Sequence, residues 1–395
     1  MRIGLDLRWL QRAYRNSPEG ALGGVGMVCE SLWRGLARVA DDAVLIALVD
    51  HGPLPRPVEE LVRAAPRHEI AAVGWRGLCP PLDRRWKYLT LVQFAETELG
   101  MKLPPLDVLH LLDHAPPPRG LACPSVVTLH EFFDKVRQGW PIYRALCARM
   151  ARADRMVAVS DAVGEDYRAH YAPRPDAVDV VRNGIDLDIF KPLDGDHEAA
   201  RTRHAIKGPY VMHVGVLTER KNPVGLVRAL AAMRAQGREP PYLVSIGAYH
   251  AVPGRIERLQ ALASEAGVSD RLVVLARGVS AAELATLYRA SLGLVFPSLH
   301  EGFGLPAIES LACGTPCVVS NTGGLIEVTG PLGIACDPTE PLSIAAGIAR
   351  LMDDGAHRRR VAAEGPIWAQ GFSREAMARG YLEVYRRAIS ERRKL

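Results

Sequence analysis

Short runs rich in Val, Ile and Leu alternate with longer amphipathic stretches along the whole chain. This alternation is typical of parallel α/β sheets, in which each strand is followed by a helix that covers the sheet. In the first half of the chain, strands are predicted at residues 2–7, 44–49, 108–111, 125–129, 156–159 and 178–181, and helices at residues 25–40, 140–153 and 161–171.

The pattern breaks near residues 183–192 (NGIDLDIFKP), and a polar stretch follows through His204. A second series of strands then begins, and the last helix has no strand after it. At 395 residues, the chain is long enough for two domains. The predicted domains are residues 1–190 and 205–372, each with its own sheet, followed by a terminal helix within residues 373–395; the strands of the second domain are predicted at residues 210–214, 242–246, 272–275, 292–296 and 316–319.

The charge balance excludes few partners but gives no support for nucleic-acid binding. The chain has 49 basic and 44 acidic residues, a formal net charge of +5. A small basic excess suits anionic ligands and acidic membrane surfaces equally well.

No apolar run reaches the roughly 18 residues that span a bilayer, and the first residues (MRIGLDLRWL) do not read as a signal peptide. Seven scattered cysteines without a C-x-x-C pair predict reduced thiols, so the expectation is a cytoplasmic protein that could touch the inner membrane face.

The most informative segment is LVFPSLHEGFGLPAIESLACGTPCVVS at residues 294–320. A strand is predicted to end at Pro297, and Pro306 stands where the first residue of a helix is expected. Between them, Gly302 and Gly304 would let the loop backbone approach a ligand closely. The free N–H groups of a helix start attract anions, so the loop predicts a seat for a diphosphate.

Two carboxylates flank this loop. Glu301 precedes the glycines, and Glu309 is expected on the first helical turn, with seven residues between them. Since a carboxylate repels a diphosphate, each is expected to bond a neutral hydroxyl: Glu301 on a sugar, Glu309 on a ribose diol. The alternative makes Glu301 a solvated loop residue and Glu309 a partner of the helix dipole, but the glycine loop between them favours a binding site.

Three further segments follow predicted strands. HVGVLTERKN at residues 213–222 places Arg220 and Lys221 on a strand-to-helix loop, where paired cations can neutralise a leaving diphosphate. GGVG at residues 23–26 opens a helix after the first strand and offers backbone donors to an anion. His130, in TLHE, ends another strand; a sugar-binding role and a structural role are about equally favoured.

These segments, in this order, resemble the GT-B glycosyltransferases of family 4, which are retaining, metal-independent sugar transferases. The resemblance covers nearly the whole chain and is carried by EGFGLPAIE at 301–309, GG at 23–24, VRNGID at 181–186 and GxLxxRKN at 215–222. It implies two Rossmann-like domains that face each other across a cleft, with a C-terminal helix that crosses back to the first domain. The residues that it implicates in donor binding or catalysis are Gly23, Gly24, His130, Gly215, Arg220, Lys221, Glu301, Gly302, Phe303, Gly304, Leu305 and Glu309.

The resemblance also implies a nucleotide-sugar donor and no cofactor or metal. The RKN pattern slightly favours GDP-mannose over a UDP-hexose, and the acceptor would be a saccharide or a lipid-linked saccharide. Many relatives have His-Asp where this chain has His130 followed by Glu131, which puts a role for the acidic residue in doubt. Asp186 and Asp188 match a metal-binding D-x-D, but beside Asn-Gly a turn cap is favoured.

Acceptor and membrane contacts are less well marked. Aromatic residues after His130 could stack on a sugar, and arginines on the following helix could face a membrane, although core packing and a solvated face explain these residues too. Two alternative functions stay open: a nucleotide-sugar epimerase of the same fold, and a sugar-nucleotide-binding subunit without turnover. The aromatic residues that could stack on an acceptor are Phe132, Phe133, Trp140 and Tyr143. The arginines that could face a membrane are Arg144, Arg149, Arg152 and Arg155.

Overall fold

A computed structural model divides the chain into two compact units. The first comprises Met1–Gly184 and Arg374–Leu395, and the second comprises Ile185–Ser373. The structure describes residues 1–16, 23–73, 102–112, 116–131, 147–170, 174–193, 195, 197–247 and 254–394.

Each unit is built on a wholly parallel sheet. In the part of the chain that the structure describes, the first sheet has seven strands in the order β3-β2-β1-β4-β5-β6-β7, and the second has six in the order β10-β9-β8-β11-β12-β13. The strands are β1 Arg2–Asp6, β2 Val44–Val49, β3 His68–Ala72, β4 Val108–Leu111, β5 Ser125–Leu129, β6 Arg155–Ala158, β7 Val178–Val180, β8 Tyr210–Val214, β9 Tyr242–Ile246, β10 Leu272–Leu275, β11 Gly293–Phe296, β12 Cys317–Ser320 and β13 Gly333–Cys336.

Helices follow the strands, as the sequence predicts. The described helices are α1 Arg8–Asn16, α2 Gly24–Val39, α3 Arg56–Arg63, α4 Asp161–His170, α5 His197–Arg203, α6 Pro223–Ala235, α7 Arg255–Glu265, α8 Ala281–Ala290, α9 Leu305–Ala312, α10 Gly324–Thr329, α11 Pro341–Asp353, α12 Gly355–Ala369 and α13 Arg374–Arg392. The predicted helix at 140–153 lies partly outside the described residues.

Both sheets confirm the predicted α/β class. Apolar side chains of the strands are buried on both faces, as expected when helices cover a parallel sheet. All eleven predicted strands are present with ends within one residue of the prediction, whereas β3 and β13 were missed. The terminal helix α13 belongs to the first unit, where it packs along α2 and against β4 and β5.

The strand order determines where each unit can bind a ligand. In the second sheet, the chain moves outward from β8 to β10 on one side and from β11 to β13 on the other. The connections after β8 and β11 therefore diverge and leave a crevice at the carboxyl ends of these two strands, where doubly wound sheets bind ligands. The corresponding neighbours in the first sheet are β1 and β4.

Two other predictions concern the environment of the protein. No helix among the described residues is long and apolar enough to cross a bilayer. All six cysteines in the described part of the chain are buried free thiols, in agreement with the predicted reduced state.

Candidate functional site

The candidate site of the second unit forms where β8 and β11 end. After β8, Gly215 leads into a short 3-10 turn at Glu219–Lys221; after β11, a loop leads to α9. The two connections are joined by a main-chain hydrogen bond, in which the Leu299 N–H donates to the Arg220 carbonyl at 2.8 Å. The crevice predicted from the strand order therefore brings together the cationic loop and the glutamate loop.

Glu301 pairs with both predicted cations. Its Oε2 atom accepts hydrogen bonds from Lys221 Nζ at 2.5 Å and from Arg220 Nη1 at 3.0 Å. Burial pushes the pKa of Glu301 upward, but the charges of Lys221 and Arg220 outweigh this effect and hold it below its usual value. The carboxylate is therefore ionised at neutral pH, and the triad of Arg220, Lys221 and Glu301 has a net charge of +1. The sequence did not predict these two ion pairs, and the assignment of Glu301 to a sugar hydroxyl stays a prediction.

The two cations differ in how they are held. The side chain of Lys221 is 12% exposed and that of Arg220 is 41% exposed. Lys221 Nζ also lies 4.3 Å from the centre of the Phe296 ring, a cation–π contact. A Cβ atom on Gly215 would lie 3.5 Å from Lys221 Cε, so the lysine stem runs along the end of β8. Lys221 is thus a fixed charge, while Arg220 has access to solvent.

Asn222 fixes the end of the cationic turn, a role that the sequence analysis missed. It adopts a left-handed conformation with φ of 55°, which asparagine tolerates better than most residues. Its Oδ1 accepts from the Gly225 N–H at 3.1 Å and caps α6, while its Nδ2 donates to the Pro338 carbonyl at 2.6 Å. The signal was present, because Asn directly before Pro is a favoured start for a helix.

The glycine loop is shaped by its contacts within the protein. Gly304 has φ of +97°, and a Cβ atom there would lie 2.3 Å from Leu325 Cδ2 on α10, so both backbone conformation and packing require glycine. Phe303 is 3% exposed, with its ring 6.0 Å from that of Phe372. Helix α9 begins at Leu305, so Pro306 is its second residue, whereas the sequence predicted Pro306 as the first. Gly302 is buried in the same loop.

Glu309 lies deeper than expected. Because α9 begins at residue 305, Glu309 falls on its second turn, not on the first, and it is only 2% exposed. Burial raises its pKa to about 7, although the Tyr288 hydroxyl, which donates to Oε2 at 3.2 Å, partly opposes the rise. This carboxyl group therefore changes its protonation state near neutral pH, whereas Glu301 does not.

The glycines of the first unit stand at the start of α2. Gly23 is the residue before the helix, Gly24 is its first residue, and both are exposed. Among the described residues, no atom lies within 4 Å of a Cβ atom built on Gly24. This confirms their predicted place after the first strand and at the start of a helix, although α1, which the sequence did not predict, comes between β1 and α2.

His130 directly follows β5 in the first unit. Its Nε2 lies 2.6 Å from the carbonyl oxygen of Leu112, the residue after β4. Since a carbonyl only accepts, Nε2 must carry the proton, and in the neutral ring Nδ1 then has the lone pair. The sequence predicted the strand-end position of His130 but not this fixed tautomer.

Other predicted residues have structural partners or lie outside the described ranges. Arg155 is buried on β6, and its Nε donates to Asp179 at 2.8 Å, so neither a membrane-facing strip nor the favoured solvated helix face holds for this residue. Asp186 Oδ1 accepts from the Asp188 N–H at 3.0 Å, which confirms the predicted turn cap. Arg152 is exposed and Arg149 is half-buried. The residues outside the described ranges are Phe132, Phe133, Trp140, Tyr143 and Arg144.

Comparison with known proteins gives the same division of the chain. Residues 22–189 match the family model described as Glycosyltransferase Family 4, and residues 196–368 match that described as Glycosyl transferases group 1. The D-inositol 3-phosphate glycosyltransferase of Rhodococcus opacus is 36% identical over 247 residues, which are 60% of this chain and 54% of that protein. The protein of the same name from Acidothermus cellulolyticus is 35% identical over 254 residues, 62% of this chain and 55% of the relative. The chain thus spans about half the length of the curated relatives it matches.

Solved structures share the fold at low sequence identity. Sucrose-phosphate synthase from Thermosynechococcus elongatus aligns with a TM-score of 0.74 and 20% identity over 99% of this chain and 100% of that chain. Anabaena Alr3699/HepE in complex with UDP-glucose aligns with a TM-score of 0.71 and 18% identity over 97% and 98% of the two chains. These likenesses confirm the predicted GT-B fold class.

Proposed function

Because the chain carries a family 4 domain at 22–189 and a group 1 domain at 196–368, we propose that it is a retaining glycosyltransferase. It transfers a hexose from a nucleoside diphosphate sugar to a hydroxyl of a saccharide or lipid-linked acceptor, without a metal ion or cofactor. The observation that carries the proposal is the Arg220, Lys221 and Glu301 triad at the carboxyl ends of β8 and β11. This is the position at which doubly wound sheets bind their ligands.

The cations stabilise the leaving group. As the sugar–phosphate bond breaks, negative charge builds on the nucleoside diphosphate, and fixed positive groups lower the energy of that state. Lys221 supplies a preorganised charge, held by Phe296 and Glu301, while the partly exposed Arg220 reaches the phosphate oxygens. The triad can serve this role despite its carboxylate because its net charge is +1.

Glu301 holds the donor sugar. Both cation bonds fall on its Oε2 atom, so Oε1 is the oxygen that we assign to a sugar hydroxyl. The low pKa of Glu301 keeps it an acceptor throughout the reaction. A carboxylate committed to two cations is a weak nucleophile, which favours a front-face substitution in which the departing phosphate oxygen takes the proton of the acceptor hydroxyl.

Glu309 reads the ribose diol. With a pKa of about 7, its carboxyl group populates both protonation states near neutral pH and can accept or donate a hydrogen bond. We assign His130 to a contact with the transferred sugar. The same proposal assigns donor contacts to the backbone of Gly23, Gly24, Gly215, Gly302, Phe303, Gly304 and Leu305.

The donor base and the acceptor are further parts of the proposal. The RKN pattern at 220–222 places GDP-mannose first and a UDP-hexose second. The UDP-hexose alternative is supported by a structural neighbour that was determined in complex with UDP-glucose. Because relatives are named D-inositol 3-phosphate glycosyltransferases, D-inositol 3-phosphate is a further acceptor in the proposal. A cytoplasmic location with peripheral membrane contact stays a prediction.

The test is a donor and acceptor panel with the full chain. GDP-, UDP- and ADP-sugars are incubated with each acceptor, and NMR of the product determines whether the anomeric configuration is retained.

Lys221→Met, which keeps the length of the stem, should lower kcat by about 100-fold or more. An isomerised donor without acceptor would indicate an epimerase, and nucleotide binding without turnover of any donor would indicate a non-catalytic subunit. Activity lost with EDTA and restored by manganese would contradict metal independence.

A further inference from the structure

A chain of hydrogen bonds runs through the core of the first unit. His110 Nδ1 lies 2.7 Å from the Tyr385 hydroxyl, and His110 Nε2 lies 2.7 Å from Thr128 Oγ1. Thr128 Oγ1 is in turn 2.9 Å from the Tyr381 hydroxyl. All four side chains belong to residues with 0% exposure, so water does not compete for these bonds. We call these four residues the buried polar cluster.

The cluster is electrically neutral. Burial, together with the nearby His130, lowers the pKa of His110 to about 3. Burial also raises the pKa of Tyr381 and of Tyr385 above its usual value. The imidazole of His110 therefore donates through one nitrogen and accepts through the other, and the hydroxyls complete a chain of mutually polarised hydrogen bonds.

The cluster cross-links the two strands that position His130. Thr128 is on β5, two residues before His130, and His110 is on β4, two residues before Leu112. The strands pair in parallel, with His110 opposite Val126. The bond between His110 and Thr128 thus lies two residues earlier along both strands than the 2.6 Å bond between His130 Nε2 and the Leu112 carbonyl. The first bond therefore adds a side-chain link between β4 and β5 to their main-chain pairing, two residues before the point where the second bond joins the strand ends.

The terminal helix closes this arrangement. Tyr381 and Tyr385 both lie on α13, whose first residue is packed so tightly on α2 that a Cβ atom at Gly35 would lie 2.3 Å from the Arg374 carbonyl oxygen. Apolar residues would attach a helix to a sheet equally well, because a buried polar network adds desolvation cost along with its bonds. What a network adds is a fixed geometry at the point where its bonds converge.

We propose that His110, Thr128, Tyr381 and Tyr385 are positioning residues that hold His130 against Leu112 with the proton on Nε2. The inference rests on the proposed function for its catalytic consequence, since it takes His130 to lie near the transferred sugar. It makes α13 a part of the site and not only a covering of the sheet. None of the four side chains needs to contact a substrate.

The test uses the full chain labelled with ¹⁵N-histidine. Thr128→Val removes the hydroxyl at the centre of the cluster while keeping the side-chain shape, and Tyr385→Phe is the second variant in case the first does not fold. Tyr167→Phe is the matched control, because it removes a buried tyrosine hydroxyl from α4 of the same unit. A His130→Gln spectrum identifies the His130 signals, and urea unfolding reports the stability of each variant.

The ¹⁵N shifts of His130 should show a protonated Nε2 in the parent chain and in Tyr167→Phe. In Thr128→Val they should move toward a mixture of tautomers, and kcat should fall by about tenfold while the donor KM changes by less than about twofold. A merely structural cluster would lower the unfolding midpoint alone, so unchanged His130 shifts in folded Thr128→Val would overturn the proposal. A tautomer change with full kcat would overturn it as well. If the parent chain transfers no sugar at all, the proposed function fails, while the NMR result still decides whether the cluster positions His130.

Discussion

Replacing Glu301 with Gln separates the two roles that the triad combines. The substitution keeps the side-chain shape but removes the charge from the atom that accepts from Lys221 and Arg220. The local charge rises from +1 to +2. We therefore expect the fold to lose stability, a nucleoside diphosphate to bind more tightly, and sugar transfer to slow.

The magnitudes follow from the geometry of the two bonds. A charge-assisted hydrogen bond contributes about 1.5–3 kcal/mol and a neutral one about 0.5–1.5 kcal/mol, so the bond to buried Lys221 loses about 1 kcal/mol. Arg220 is 41% exposed, and solvent screening reduces its share to about 0.5 kcal/mol. The free energy of unfolding should fall by about 1.5 kcal/mol. Removing one nearby negative charge should tighten nucleoside diphosphate binding by roughly 5-fold, and losing the carboxylate acceptor for the sugar should lower kcat by about 100-fold.

Urea unfolding, calorimetry with GDP and UDP, and steady-state kinetics measure the three effects on one preparation. Glu219→Gln is the matched control, because Glu219 is an exposed glutamate on the same 3-10 turn. This control should change stability by less than about 0.5 kcal/mol and leave kcat unaltered. If Glu301→Gln weakens nucleotide binding, the triad does not receive the diphosphate. If it matches Glu219→Gln in all three measurements, the ion pairs have no role.

Three further predictions concern the surroundings of the triad. Glu309 has a pKa of about 7 when folded against 4.5 as its ordinary value, so its contribution to stability falls as pH rises between these values. Tyr288→Phe removes a hydroxyl that lowers this pKa, and by urea unfolding it should destabilise the fold by about 1 kcal/mol more at pH 8 than at pH 5. Gly304→Ala combines a positive φ with a contact at 2.3 Å and should lower stability by more than about 2 kcal/mol in the same assay. Asn222→Ala loses a helix cap and should cost about 1 kcal/mol of unfolding free energy while raising the donor KM.

Matched controls show whether each reason is correct. Tyr210→Phe removes another buried hydroxyl, one that donates to the Leu287 carbonyl at 2.7 Å, so its effect should not depend on pH in this range. Gly267→Ala introduces backbone strain without a close contact, because its φ is +68° and its Cβ would meet no atom of the described residues within 4 Å. If Gly267→Ala loses as much stability as Gly304→Ala, the contact with Leu325 does not contribute to the loss at Gly304. Asn222→Gly keeps the left-handed turn without the side-chain bonds, so its free energy of unfolding should lie between those of the parent chain and Asn222→Ala.

The sheets were predictable because continuous apolar runs dominate them. The two missed strands lack that signal: β3 has the sequence HEIAA and is half-buried or exposed along its length, and β13, with the sequence GIAC, has one β-branched residue. Helix α1 was missed as well, since its apolar residues are interrupted by arginines that pair elsewhere, as Arg12 does with Asp50 at 2.7 Å. Edge strands and irregular helices depend on such tertiary contacts more than on local pattern.

The site residues were predictable as a set, but their partners were not. The pairing of Lys221 with Glu301 joins residues 80 positions apart, and only the neighbouring order of β8 and β11 brings them together. The depth of Glu309 depends in the same way on Tyr288, which comes from a different helix. His110 did leave a local trace, because a histidine inside the apolar run VLHLL must find buried partners.

The central claim is that the leaving diphosphate is received by the cations at the carboxyl ends of β8 and β11. A crystal structure of the chain with bound GDP or UDP tests this most directly. The account predicts phosphate oxygens within about 3.2 Å of the Arg220 guanidinium or of Lys221 Nζ, in hydrogen-bonding contact. A diphosphate bound elsewhere, with Glu301 still holding both cations and no phosphate contact to either, would contradict it.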